Sequence, residues 1–97
     1  MQELKDFGLN SYESKVYEAL LQGSATAYVL ARNSKVPAGR IYSVLDSLLV
    51  KGFISCHDGR PKYYTAVAPE IALNSKIIEQ KKELDSMQRM AEKLAQN

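Results

Sequence analysis

Three short amphipathic helical segments come first in this chain of 97 residues, followed by a β-prone run broken at Asp58-Gly59. From Pro69 a helical pattern then continues to the C-terminus with no further Pro or Gly. This order predicts an α+β, mostly α fold: a winged helix-turn-helix with a two-stranded wing and a long C-terminal helix forming an intermolecular coiled coil. The expected division is a winged unit over residues 1–68 and a dimerisation helix over 69–97.

Each element has local signals of its own. In LNSYESKVYEALLQG, Asn10 is placed to accept from the amides of a first turn, Glu13 three residues on to reach back, and Gly23 to close the end. Val16, Tyr17, Leu20 and Leu21 make its apolar stripe. A second helix is expected over TAYVLARNSKV, with Thr26 as cap and Ala27, Val29, Leu30 and Ala31 facing inward. The third, VPAGRIYSVLDSLLVKG, has Pro37 at a first helical position, Lys51 near the negative end and Gly52 suited to a left-handed cap. In FISCHDGRPKYYTAV the period changes, and Asp58-Gly59 predicts a hairpin with a two-residue turn.

Composition narrows the function classes. With 45% hydrophobic and 25% charged residues the chain has the balance of a folded globular domain. No apolar run approaches membrane-spanning length and MQELKDFG lacks a signal-peptide pattern, so a cytoplasmic, nucleoid-associated protein with no membrane partner is expected. One Cys and one His fall short of a zinc ligand set, and no Ser-His-acid or paired-carboxylate constellation stands out. Accordingly no catalytic residue, metal or cofactor is expected, no small-molecule effector can be inferred from the residues, and Cys56 reads as a packing residue rather than a redox switch.

The net charge of +2 says little until it is located. Residues 1–34 sum to −1 and the segment from Pro69 cancels, whereas residues 35–68 set Lys35, Arg40, Lys51, Arg60 and Lys62 against Asp46 and Asp58. Basic excess therefore falls on the third helix and the hairpin. At about 100° per residue, Ile41, Val44, Leu45 and Leu48 form a core face of the third helix. Gly39, Arg40, Ser43 and Ser47 share another arc: small, polar, and suited to a helix laid in a DNA major groove. An ordinary solvated face is the bland alternative. The short connection from the preceding helix favours the DNA-reading unit.

A two-residue turn would pair His57 with Arg60, Cys56 with Pro61 and Ser55 with Lys62. Alternation then predicts a basic face of His57, Arg60, Ser55 and Lys62 and an apolar one of Ile54, Cys56, Pro61 and Tyr63. The basic face is placed to neutralise a phosphate backbone or enter a minor groove, with His57 contributing when protonated.

The blocks GLNSYESKVYEALL, VPAGRIYSVLDSLLVKGFI and GRPKYYTAV, in that order, resemble the winged-helix domain of the TrmB-like archaeal transcription regulators, over residues 4 to about 75. The resemblance implies DNA-binding repressors and activators, many with a C-terminal sugar-binding domain for which a chain of this length has no room; this would be a short form. Arg40, Tyr42, Arg60 and Tyr64 match the family pattern, whereas the basic residue often found after the proline is replaced here by Ala38 and Gly39. The expected DNA-binding set is Ala38, Gly39, Arg40, Tyr42, Ser43, Ser47, Lys51, His57, Arg60, Lys62 and Tyr64.

In the C-terminal segment a heptad reading places Ile77, Leu84 and Ala91 at a, and Leu73, Gln80, Met87 and Leu94 at d. So small a domain cannot bury that stripe alone, so a homodimer is expected; packing back onto its own domain is the alternative. In a parallel pair Lys76 would meet Lys81 of the partner, whereas in an antiparallel pair Lys76 meets Glu83 of the partner, which favours antiparallel helices. The overall expectation is a dimeric regulator bound to double-stranded DNA. The alternatives are an architectural chromatin protein with little sequence preference and a winged-helix module that binds protein.

Overall fold

The computed structural model describes residues 2–96. A 3-10 turn, Gln2–Phe7, precedes helices α1 (Ser11–Leu20), α2 (Ala27–Ser34) and α3 (Ile41–Lys51). Strands β1 (Ile54–His57) and β2 (Tyr63–Ala66) form an antiparallel hairpin, and α4 runs from Pro69 to Ala95. The fold is the winged helix-turn-helix, with one element more than the sequence signals mark, the opening 3-10 turn.

Local capping chemistry sets the helix starts. Asn10 Oδ1 accepts from the Glu13 amide at 2.8 Å while Glu13 Oε1 accepts from the Asn10 amide at 2.8 Å, a complete capping box. Thr26 Oγ1 accepts from the Val29 amide, and Pro69 occupies the first turn of α4, where its missing N–H costs nothing. Gly52 ends α3 with φ +83°, a left-handed conformation that glycine adopts without strain.

Several boundaries differ from expectation. Pro37 does not open α3: its carbonyl accepts from the Arg40 amide at 2.8 Å, closing a turn over Ala38, Gly39 and Arg40, and the helix begins at Ile41. In α1 the helix stops at Leu20, so Gly23 falls in the connection; Leu21 and, in α2, Val29 lie on the exposed side of their stripes.

A single core joins all the helices and the hairpin. Tyr17 and Phe53, both fully buried, meet edge to face with centroids 5.4 Å apart, and the Tyr17 hydroxyl donates to the Val67 carbonyl at 2.7 Å. The first turn of α4 belongs to the same core through buried Ala72 and half-buried Leu73. From Asn74 onward every residue of α4 that is described is exposed except the half-buried Lys76. Beyond Leu73 the helix thus projects from the domain without packing back onto it, giving the protein a long axis of 58 Å against 24 and 22 Å.

The wing departs most from expectation. Its register is Ile54 with Ala66, Ser55 with Thr65, Cys56 with Tyr64 and His57 with Tyr63. Asp58–Lys62 is consequently a five-residue loop, with a cis Arg60-Pro61 peptide, and not a two-residue turn. The expected partner of His57 moves from Arg60 to Tyr63, an odd displacement, so every side chain of the second strand exchanges faces. Tyr63 is exposed and Tyr64 buried, the reverse of the expected alternation. The reason is tertiary. Tyr64 is the residue through which the hairpin enters the core, and its backbone also exchanges hydrogen bonds with Ala25, at 2.8 and 3.1 Å, adding a third extended segment beside β2.

Candidate nucleic-acid interface

The exposed side of α3 is built from Tyr42, Ser43, Asp46 and Val50, because Ile41, Val44, Leu45 and Leu48 take the core side. Tyr42 is 63% and Val50 88% exposed, large side chains standing free on a helix that is otherwise well packed. Arg40 lies in the turn before α3, exposed, and its carbonyl accepts from the Ser43 hydroxyl at 2.9 Å. Ala38 and Gly39 are exposed in the same turn, so they precede the helix instead of forming its first turn.

The wing stands next to this surface. Tyr42 and Asp46 of α3, Pro61 and Lys62 of the loop, and Thr26, Ala27 and Tyr28 at the start of α2 line one cleft of about 490 Å³, with the Tyr64 side chain at its floor. Burial pushes the Tyr64 phenol upward in pKa, an effect that Cys56, Tyr42 and Asp46 reinforce and the Lys62 ammonium opposes. His57, Arg60 and Lys62 are exposed, His57 on the strand and the two basic residues in the loop. The expected basic hairpin face is therefore a basic loop tip.

Three members of the expected set are turned inward. Both carboxylate oxygens of Glu13 accept from Lys51 Nζ at 2.9 Å, and the Ser47 hydroxyl donates to Glu13 Oε2. Lys51 Nζ also donates to the Gly8 carbonyl at 2.7 Å. Ser47 and Lys51 lie one turn apart on the side of α3 that meets α1, so the arc of Gly39, Arg40, Ser43 and Ser47 drawn from the sequence is rotated away from the true exposed face. Tyr64, 4% exposed, is the third; it supports the cleft from below.

Glu13 itself went unmarked beyond its capping role, yet it is 1% exposed. Burial raises its pKa, but hydrogen bonds from the Asn10 amide, Ser47 and Lys51, with the Lys51 charge, outweigh that and hold it below the usual carboxylate value. Sequence reasoning also missed Asp46 and Val50 on the exposed side of α3, and Tyr28, which with Asp46 lines the cleft. The signal for the first two was present: placing the centre of the core face between Val44, Leu45 and Leu48 puts Asp46 and Val50 opposite it, with Tyr42 on one flank and Ser47 on the other.

Among the described residues no group of three or more His, Cys, Asp or Glu could hold a metal ion, and no helix is long and apolar enough to cross a membrane.

Residues 4–70 match the family model described as "Sugar-specific transcriptional regulator TrmB". The chain belongs to the TrmB family. It is 45% identical over 74 residues to the HTH-type sugar sensing transcriptional regulator TrmBL1 of Pyrococcus furiosus, covering 75% of this chain and 22% of that protein. To the DNA-binding HTH-type transcriptional repressor TrmBL2 of Thermococcus kodakarensis it is 42% identical over 94 residues, covering 91% of this chain and 35% of the relative. A solved structure of TrmBL2, described as an archaeal chromatin protein with a novel mode of DNA binding, superposes with a TM-score of 0.76 at 39% identity, over 91% of this chain and 37% of that one. This TrmB-family chain thus spans between about a fifth and about a third of the length of these curated relatives. The family is one of transcription regulators, not enzymes.

Proposed function

We propose that this TrmB-family chain binds double-stranded DNA as a homodimeric transcription regulator. In this reading α3 enters the major groove with Arg40, Tyr42 and Ser43 foremost, the turn of Ala38 and Gly39 lets the backbone approach closely, and the wing lays Arg60 and Lys62 on the adjoining phosphates or in the minor groove, with His57 beside them. The observation that carries it is that the exposed face of α3 and the basic loop tip, distant in sequence, border one cleft on one side of the molecule. Ser47, Lys51 and Tyr64 take no direct part; they hold α3 and the wing in place.

Pairing would run through α4. Leu84, Met87 and Leu94 are 63%, 67% and 64% exposed, and Ile77 is 38% exposed, on a seam with Leu73, Gln80 and Ala91. Such a stripe on a projecting helix is stable in water when a second copy covers it. Gln80 in the seam sets register. An antiparallel pair would let Lys76 meet Glu83 of the partner subunit, although Lys76 already has Glu79 of its own helix at 3.6 Å.

A salt titration of DNA affinity is the direct test. Arg40, Arg60 and Lys62 from two subunits amount to about six phosphate contacts, for which log K falls with log salt at a slope of roughly −5. Arg60→Ala should weaken binding about equally on all sequences and flatten that slope. Failure to bind any duplex in a salt-dependent way would sink the proposal in favour of a protein-interaction module.

A second reading, an architectural protein coating DNA with little sequence preference, draws on the 39% identity to the structure described as an archaeal chromatin protein. Equal affinity for random and genomic fragments would favour it, and a preferred subset would favour the regulator.

A further inference from the structure

Tyr28, which lines the cleft, and Arg32 of α2 belong to neither the core nor the DNA contacts proposed so far. Tyr28, in the first turn of α2, is 64% exposed, and Arg32, one turn further on, is exposed as well. The Arg32 guanidinium carbon sits 5.8 Å from the centre of the Tyr28 ring, within cation–π range. Tyr28 shares two clefts with Tyr42. The two line the cleft that the wing borders and also a second, more apolar cleft of about 370 Å³ between α2 and α3, which Arg32 and Ala38 share. Tyr28 and Arg32 therefore continue the α3 surface sideways onto α2.

We infer that Tyr28 and Arg32 form a further DNA-contact element, gripping the phosphate backbone at the edge of the groove that α3 enters; this rests on the DNA-binding reading above. The first helix of a helix-turn-helix pair crosses the backbone when the second lies in the major groove, which places α2 over phosphates. At its N-terminus the backbone amides and the positive end of the helix dipole favour an anion. The Tyr28 hydroxyl donates to a phosphate oxygen, and the ring beneath Arg32 holds the guanidinium in a limited set of orientations, so less side-chain freedom is lost when it meets the backbone. A basic residue in the last turn of α2 is also favourable for the helix dipole alone. That accounts for the charge at Arg32 but not for a large exposed tyrosine one turn before it, within cation–π range of the guanidinium and lining the same two clefts as Tyr42.

The test uses the full chain and a mixed set of duplexes, with affinity measured against salt for wild type, Arg32→Ala, Arg32→Lys, Tyr28→Phe and Arg60→Ala. Arg32→Ala should reduce the magnitude of the log K against log salt slope by about 0.9 for each protomer, hence by about 1.8 for a dimer, with a similar loss on every sequence. Arg32→Lys should restore the slope. Tyr28→Phe, which keeps the ring under the guanidinium, should weaken binding with the slope unchanged. Both side chains are exposed, so the thermal midpoint serves as the folding control. Unchanged affinity and slope for Arg32→Ala, with both altered by Arg60→Ala, would overturn this inference and leave the DNA-binding reading standing. Absence of salt-dependent binding by wild type would overturn both.

Discussion

Lys51 Nζ lies 2.9 Å from each carboxylate oxygen of Glu13, joining the last turn of α3 to the first turn of α1 across 38 positions of sequence. Because Glu13 is 1% exposed, this pair is a structural clamp, and it fixes the far end of the helix whose near end carries Arg40 and Tyr42. Lys51→Met should therefore destabilise the fold by about 1–3 kcal/mol, the scale for leaving a buried group short of a partner. The salt slope of DNA binding should stay at its wild-type value. A melting curve together with a salt titration separates the two effects, and a flatter slope would return Lys51 to the phosphate contacts.

The same carboxylate makes stability depend on acid. Its folded-state pKa is lowered, so its contribution is complete above the ordinary glutamate value of about 4.3 and is lost as pH falls toward the folded value. Chemical denaturation of wild type and Glu13→Gln between pH 7 and pH 3 should show their stability difference shrinking below about pH 4.3. A difference that stays constant through that window would contradict the depressed pKa.

Tyr64 distinguishes support from contact. Tyr64→Phe keeps the buried ring and should leave DNA affinity close to wild type, whereas Tyr64→Ala removes a core aromatic and should cost about 3–5 kcal/mol of stability. A large affinity loss in a well-folded Tyr64→Phe variant would mean that the hydroxyl touches DNA.

The proposed homodimer would be held together by the exposed stripe of α4. Leu84→Asp with Met87→Asp should convert a dimer to a monomer in sedimentation without unfolding the winged unit, since neither residue reaches the core. DNA affinity should fall with the loss of the second half-site contact. For orientation, Leu94→Cys in a Cys56→Ser background should stay reduced across an antiparallel pair. Rapid disulfide formation would indicate parallel helices.

Helix starts and stops that depend on near neighbours in the chain are legible in the residues alone. Asn10 with Glu13, Thr26, Gly52 and Pro69 act within a few residues of themselves, so their chemistry is readable in order. The 3.6-residue period likewise marked Ile41, Val44, Leu45 and Leu48 as the core side of α3, and the three quoted blocks pointed to the family. Which polar residues of α3 face solvent depends instead on contacts between distant elements. Ser47 and Lys51 are held by Glu13 at sequence separations of 34 and 38, and no local pattern reports a partner so distant. The wing register follows the same rule. Asp58-Gly59 favours a tight turn locally, but burying Tyr64 and bonding it to Ala25 outweigh that preference, and the displacement moves Arg60 and Lys62 from strand to loop. Capping and periodicity are short-range forces written in adjacent residues, whereas burial and charge pairing are settled only when the elements meet.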